Sequence, residues 1–109
     1  VSVISIIGRF LEHSRIFWFG NAGASEVFIG SADWMGRNLD RRVEAVTPIE
    51  DPMLRERIEQ MLRTYLDDNR GAWEMQSDGH FMQRQPNDGE RNSQLQLMYD
   101  WRAVQGQPV

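Results

Sequence analysis

A chain of 109 residues with 40% apolar and 26% charged side chains is long enough for one modest core and sits within globular norms, which argues against disorder. Its formal charge of −4 disfavours broad, nonspecific binding to nucleic acid, so an anionic ligand would need a local cluster of cations. With no cysteine, disulfides, thiolate nucleophiles and cysteine-ligated metals are excluded.

The charge is unevenly placed. Residues 1–47 carry five arginines against five acids, and residues 48–109 carry seven against eleven. All twelve basic residues are arginine, so any grip on phosphate must use guanidinium forks, which hold phosphate oxygens bidentately. The longest apolar run is far short of a bilayer span. The opening "VSVISIIGRF" has neither the basic start nor the small-residue cleavage site of a signal peptide. The chain also opens mid-pattern without Met, as a piece cut from something longer would.

In chain order, Ile4, Ile7 and Leu11 recur at helical spacing, which predicts a short helix over residues 3–12 weakened at Gly8. "SRIFWF" then switches to strand formers, "NAGAS" reads as a turn, and "EVFIGSAD" as a second strand. "WMGRNLD" is irregular, and "RRVEAVTPI" predicts a third strand ending near Pro48. Asp51 as N-cap and Pro52 at the first helical position start a long helix. Along it Leu54, Ile58, Met61, Leu62, Tyr65 and Leu66 form one apolar stripe, read as core. "AWEMQSDGHFMQRQ" predicts a hairpin turning at Asp78-Gly79. "PNDGERN" reads as a polar linker, and "SQLQLMYDWRAV" as a last helix capped by Ser93. The expected architecture is α/β, with a small three-stranded sheet packed by a long helix and a loosely held hairpin and tail helix. Residues 1–84 would form the domain proper and residues 85–109 a polar linker and tail.

The residues with chemistry to offer gather in the first half. If residues 13–19 are a strand, His13 and Arg15 point the same way, because side chains two apart share a face; Ser31 and Asp33 do so on the next strand. "GRNLDRR" then supplies Arg37, Arg41 and Arg42. One imidazole, one hydroxyl and several guanidiniums are the equipment of phosphoryl transfer. An imidazole can attack, shuttle a proton or contact a phosphoryl oxygen, and arginines stabilise charge spread over the transferring group. The bland alternative is a solvent-facing His, with arginines paired to Asp40 and Glu44.

The order of the elements is more specific. "H-x-R", a glycine-containing turn and then "G-S-x-D" resembles the H-x-K…G-S-x-N signature of the phospholipase D superfamily, with Arg15 standing for the Lys and Asp33 for the Asn. The superfamily's acidic residue, seven positions after the His, would fall on Gly20 and is missing. "RFLEHSRIFWFGN", "VFIGSADWMGRNLDRRVEAVTPI" and "DP-x-L-x-x-R" together resemble the C-terminal catalytic domain of the bacterial polyphosphate kinases. That resemblance runs from about residue 3 to residue 84, weakens through the linker and resumes faintly at "SQLQLM".

The resemblance implies a phospholipase D-like half domain. In that family two such halves face each other: a histidine in the first is phosphorylated by ATP, and a histidine in the second faces it across a phosphate tunnel. His13 resembles the second of these, and Arg42 matches a phosphate-contacting arginine. Arg15 and Ser31 would join the phosphate site. Asp33, Arg37 and Arg41 would support it, with Asp33 an orienting group paired to Arg15 or Arg37. The implied substrates are ATP or ADP and inorganic polyphosphate. Magnesium would be bound outside these residues, and no metal site is expected here. The missing N-terminal and first catalytic domains would be partners, a homo-oligomer is allowed, and neither nucleic acid nor a transmembrane segment is expected. The location implied is cytoplasmic, or peripheral to a membrane in the complete enzyme. Alone, this stretch should not turn over. Two other readings stand beside it: a phospholipase D-type phosphodiesterase, and a non-catalytic oligomerisation module. His80, in the hairpin turn, is given no role, and Trp18, Trp34, Trp73 and Trp101 are read as packing residues.

Overall fold

The computed structural model describes residues 1–13, 15–31 and 46–104. In chain order the elements are β1 (Ile4–Ile6), β2 (Ile16–Phe19), a 3-10 turn at Asn21–Gly23, β3 (Glu26–Gly30), β4 (Val46–Pro48), α1 (Pro52–Leu66), β5 (Ala72–Met75), β6 (Phe81–Gln83) and α2 (Ser93–Val104). They fall into two compact units, Glu12–Ile58 and Val1–Leu11 with Glu59–Val109, and α1 runs through the boundary.

The first unit holds an antiparallel sheet of order β2-β3-β4. Strand formers dominate "IFWF" and "EVFIG", and the pairing follows their alternation. Trp18 pairs with Val27 and Ile16 with Ile29 on one face, and Phe17 pairs with Phe28 on the other. Val27 is buried. Phe19 and Phe28 meet edge to face at 6.1 Å between ring centroids. The turn between β2 and β3 holds Asn21 and Ala22 at positive φ, 45° and 54°. Asn tolerates that region, whereas Ala loses about 1–2 kcal/mol there. The predicted turn, both of these strands and the third strand ending at Pro48 are all present, although the first strand starts at Ile16 rather than residue 13.

The second unit differs from expectation. Residues 4–6 form a strand, not part of a helix: β1 pairs antiparallel with β5, giving a sheet of order β1-β5-β6. In "VISII" every residue but Ser5 is β-branched, and Ile4 and Ile6 turn inward while Ser5 faces out. A helical repeat of three residues is outweighed by a free edge on β5 that needs a partner. The predicted hairpin is therefore the body of a second sheet. Its turn lies at Asp78-Gly79 as expected, with Gln76 N donating to His80 O at 2.7 Å. Asp78 Oδ1 accepts from His80 N at 3.0 Å, and His80 Nδ1 lies 3.1 Å from Asp78 Oδ2. The His80 amide, then its imidazole, hold the Asp78 carboxyl below its usual range.

Helix α1 begins as its sequence dictates: Asp51 Oδ1 accepts from Met53 N at 2.8 Å and Leu54 N at 3.3 Å. Its stripe is half-buried at Ile58, Met61, Leu62 and Tyr65 and open at Leu54 and Leu66. At the C-terminus two arginines take up the terminal carbonyls. Arg84 Nη1 donates to Leu66 O (2.6 Å) and Asp68 O (2.9 Å), and Arg91 Nε donates to Asp67 O (3.0 Å). Glu74 Oε1 holds the Arg84 guanidinium from behind, at 2.8 Å to Nε and 2.7 Å to Nη2. Replacing Arg84 by Ala should destabilise the chain by about 1.5–3 kcal/mol, since it deletes charge-assisted bonds and leaves carbonyls unmet. Arg84→Lys should recover part of that, because an ammonium cannot reproduce the fork. Urea titration of the three proteins checks this, and equal midpoints would contradict it.

Beyond α1 the buried side chains are mostly polar: Asp68, Asn69, Ser93 and Gln94, with Ala72 as the apolar exception among the described residues. Asp68 Oδ1 accepts from the main-chain N–H of Arg70 (2.9 Å), Gly71 (2.7 Å) and Ala72 (3.0 Å). Its Oδ2 accepts from Ser93 N at 2.8 Å. Asn69 ties the segment read as a polar linker: it donates from Nδ2 to Gly89 O (2.8 Å) and accepts at Oδ1 from Arg91 N (2.7 Å). The cap of α2 is one residue earlier than expected. Asn92, not Ser93, accepts at Oδ1 from Leu95 N at 3.2 Å, and the Ser93 amide, at the first helical position, is given to Asp68.

Candidate functional site

The first motif segment precedes β2 and the second follows β3, so the register between those strands decides whether they meet. Ile16 pairs with Ile29, and one step further Gly30 N donates to Arg15 O at 3.2 Å. Arg15 therefore lies across from Gly30, and Ser31 is the next residue along. On the other side of β3, Gly30 pairs with Val46, the first residue of β4. Arg15, Gly30–Ser31 and Val46 thus stand at one end of one sheet.

His13 is exposed and Arg15 half-buried. The Arg15 guanidinium folds back on the main chain before it, Nη1 donating to His13 O at 3.2 Å. That bond fixes the carbonyl of the residue carrying the imidazole. Because β2 starts at Ile16 and β3 ends at Gly30, strand alternation does not extend to His13 or Ser31; the ladder stops where its partner stops. Ser31 sits exposed in a bend. Asp33, Arg37, Arg41 and Arg42 lie outside the described residues, as does Trp34.

Gly20, where the phospholipase D superfamily would carry an acid, stands at the far end of β2. A Cβ added there would lie 3.2 Å from Cη2 of the Trp18 indole, so a larger side chain would crowd that ring. Trp18 is 48% exposed and Trp101 59%.

Other features offer less. An open cavity of about 510 Å³ in the second unit is lined by Thr64, Asp67, Arg70, Arg91, Gln96 and Tyr99, among others. Its guanidiniums face carboxylates, Arg70 to Glu90 at 3.6 Å and Arg91 to Asp88 at 3.0 Å, so it presents no excess of positive charge. Among the described residues no three His, Asp or Glu side chains gather into a group that could hold a metal ion. Nor is any helix among them long and apolar enough to cross a membrane.

The sequence model of the family described as polyphosphate kinase C-terminal domain 2 matches residues 1–96. The chain belongs to that family. It is 74% identical over 103 residues to a polyphosphate kinase of Parasynechococcus marenigrum, covering 93% of this chain and 14% of that protein. It is 64% identical over 111 residues to one from Prochlorococcus marinus, covering 100% of this chain and 15% of that protein. The fold superposes on the crystal structure of the polyphosphate kinase from Porphyromonas gingivalis with a TM-score of 0.89 at 36% identity, over 96% of this chain and 16% of that one. The chain thus spans about one-seventh of the curated relatives it matches.

The residues that sequence reasoning missed are those that hold the family's fold here: Asp68, Asn69, Arg84 and Gln94. "DDNRG" right after a helix signals a polar end to it, but nothing in the sequence says that Asp68 reaches Ser93, or Gln94 reaches Phe10.

Proposed function

We propose that this chain is the second phospholipase D-like half domain of an ATP:polyphosphate phosphotransferase. The reaction passes the terminal phosphate of ATP to polyphosphate, reversibly, through a phosphohistidine supplied by the first half. The bond from the γ-phosphorus to the ADP oxygen breaks as one to an imidazole nitrogen of that first-half histidine forms. A terminal polyphosphate oxygen then attacks the phosphorus, the P–N bond breaks, and the polymer gains one unit.

His13 contacts a phosphoryl oxygen from the opposite side. Arg42, with Arg15 and Ser31, holds the phosphates, and guanidinium forks neutralise charge as it spreads over the transferring group. Asp33 orients its neighbours, and Arg37 and Arg41 add positive potential. The observation that carries this reading is the register placing Arg15 across from Gly30, with Ser31 beside it. It favours two motif segments meeting at one sheet end over surface arginines scattered at random. Glycine at position 20 speaks against a phosphodiesterase that needs an acid there.

The test is polyphosphate binding by the chain. Affinity should be saturable and fall with salt, since phosphate contacts release counterions. The double variant His13→Ala, Arg42→Ala should lose about 10- to 100-fold or more, as expected when charge-assisted bonds to an anion are deleted. Unchanged affinity in the double variant would remove the site assignment. A thermal shift that polyphosphate raises in the wild type and not in the variant gives an independent check.

A further inference from the structure

We propose that Arg15 is a positioning residue for His13, a role separate from its contact with phosphate. The ladder between β2 and β3 closes with Gly30 N donating to Arg15 O at 3.2 Å. His13 stands two residues further from the ladder, outside the pairing of the strands. There the Arg15 side chain takes over from the ladder, with Nη1 donating to His13 O at 3.2 Å. One residue is thus bonded to the sheet end through its carbonyl and to the imidazole-bearing residue through its guanidinium.

Three features let a single bond act this way. The acceptor is a main-chain carbonyl, so the bond constrains the direction in which the His13 side chain leaves the chain and leaves the ring torsions to the ligand. Arg15 is half-buried and His13 exposed, so the donor sits on a seated side chain while the imidazole stays open. A guanidinium carries five N–H donors in one plane, and one given to His13 O does not exhaust it. The Lys of the superfamily signature, where this chain has Arg15, ends one bond short of Nη1 and is a point charge without a plane. Arg in its place keeps the charge and gains the tie. The role rests on the reading of His13 given above, and the tie itself does not.

The chain has two histidines, so imidazole NMR signals report His13 directly with His80 as an internal control. Arg15→Lys keeps the charge and loses the fork, so a change at His13 in protein free of polyphosphate reports geometry, not lost charge. The His13 signals should move and broaden, and those of His80 should stay in place. Affinity for polyphosphate should fall about two- to tenfold, as one lost hydrogen bond would cause. If affinity falls while the His13 signals of the polyphosphate-free protein hold still, Arg15 acts on phosphate alone and the positioning is overturned. It is overturned as well if a folded Arg15→Lys changes neither. Moved signals at unchanged affinity would confine the tie to shape and overturn its role in the site. If the wild type fails to bind polyphosphate yet His13 moves in Arg15→Lys, the positioning stands and the functional reading falls. Should Arg15→Lys not fold, Arg15→Met, which keeps a straight stem without donors, replaces it, and unmoved His13 signals in the folded variant overturn the proposal.

Discussion

Asp68→Asn is expected to lower the stability of the chain by about 2–4 kcal/mol, a large loss for one substitution with almost no change in volume. The carboxylate accepts four main-chain N–H bonds, three on Oδ1 and one on Oδ2. An amide has a single acceptor oxygen. Either the Ser93 amide or the group of three then faces an NH2, leaving buried donors unmet. Burial pushes the Asp68 carboxyl up, but the bonds from Ser93, Gly71 and Arg70 outweigh it, so its folded pKa lies below 3.8. The sign follows by linkage. A carboxyl that is more acidic in the folded state stabilises above its unfolded pKa, and that contribution fades as pH falls from about that value through the lower folded one. Urea titrations at neutral pH and near pH 3 check both points. Wild type should lose stability on acidification, and the Asn variant should start lower and lose less. Equal urea midpoints at neutral pH would refute the hub role.

How legible the fold was depends on whether an element is decided locally. Asp51-Pro52 opens α1 because cap and first position are neighbours, and the bond from Met53 N to Asp51 Oδ1 realises it. The hairpin at Asp78-Gly79 is equally local. Where a distant partner decides, local reading failed. Residues 4–6 are a strand because β5, almost seventy residues on, offers an edge. Ser93 looked like a cap, but Asn92 caps, and the Ser93 amide is bound by Asp68, 25 residues earlier. "PNDGERN" is polar and rich in turn formers, which reads as a linker, yet Asn69 binds its backbone at Gly89 and Arg91. In this unit polar side chains do what apolar ones do elsewhere, and hydropathy patterns do not register them.

The candidate site was legible as two motif segments and not as a constellation. Spacing placed His13 and Arg15 together, and the ladder adds what spacing could not: the register bringing Arg15 across from Gly30. The assumption that a strand carries His13 on a defined face does not survive, since β2 begins at Ile16. The described tie at position 13 is a main-chain one, the Arg15 guanidinium donating to His13 O. It carries no sequence signal, because an arginine just before a strand is an ordinary residue.

On the proposed reading, in which the His13 imidazole contacts the transferring group, His13→Ala in the complete enzyme should reduce turnover by about 100- to 10,000-fold. The exposed side chain packs little, so stability should change by no more than about 0.5 kcal/mol. A residue that stabilises a transition state cannot move the equilibrium of the reaction. Polyphosphate synthesis from ATP and ATP synthesis from polyphosphate must therefore fall together, with the ratio of forward to reverse efficiencies fixed. If His13 acted in ground-state binding alone, KM for the phosphorylated substrate would rise while kcat held. Arg42→Lys gives the complementary reading: it keeps the charge but loses the fork, so its loss should be smaller than that of Arg42→Ala. Forward and reverse assays on the three variants separate these outcomes. Full turnover in His13→Ala would leave the family assignment in place and remove His13 from the chemistry.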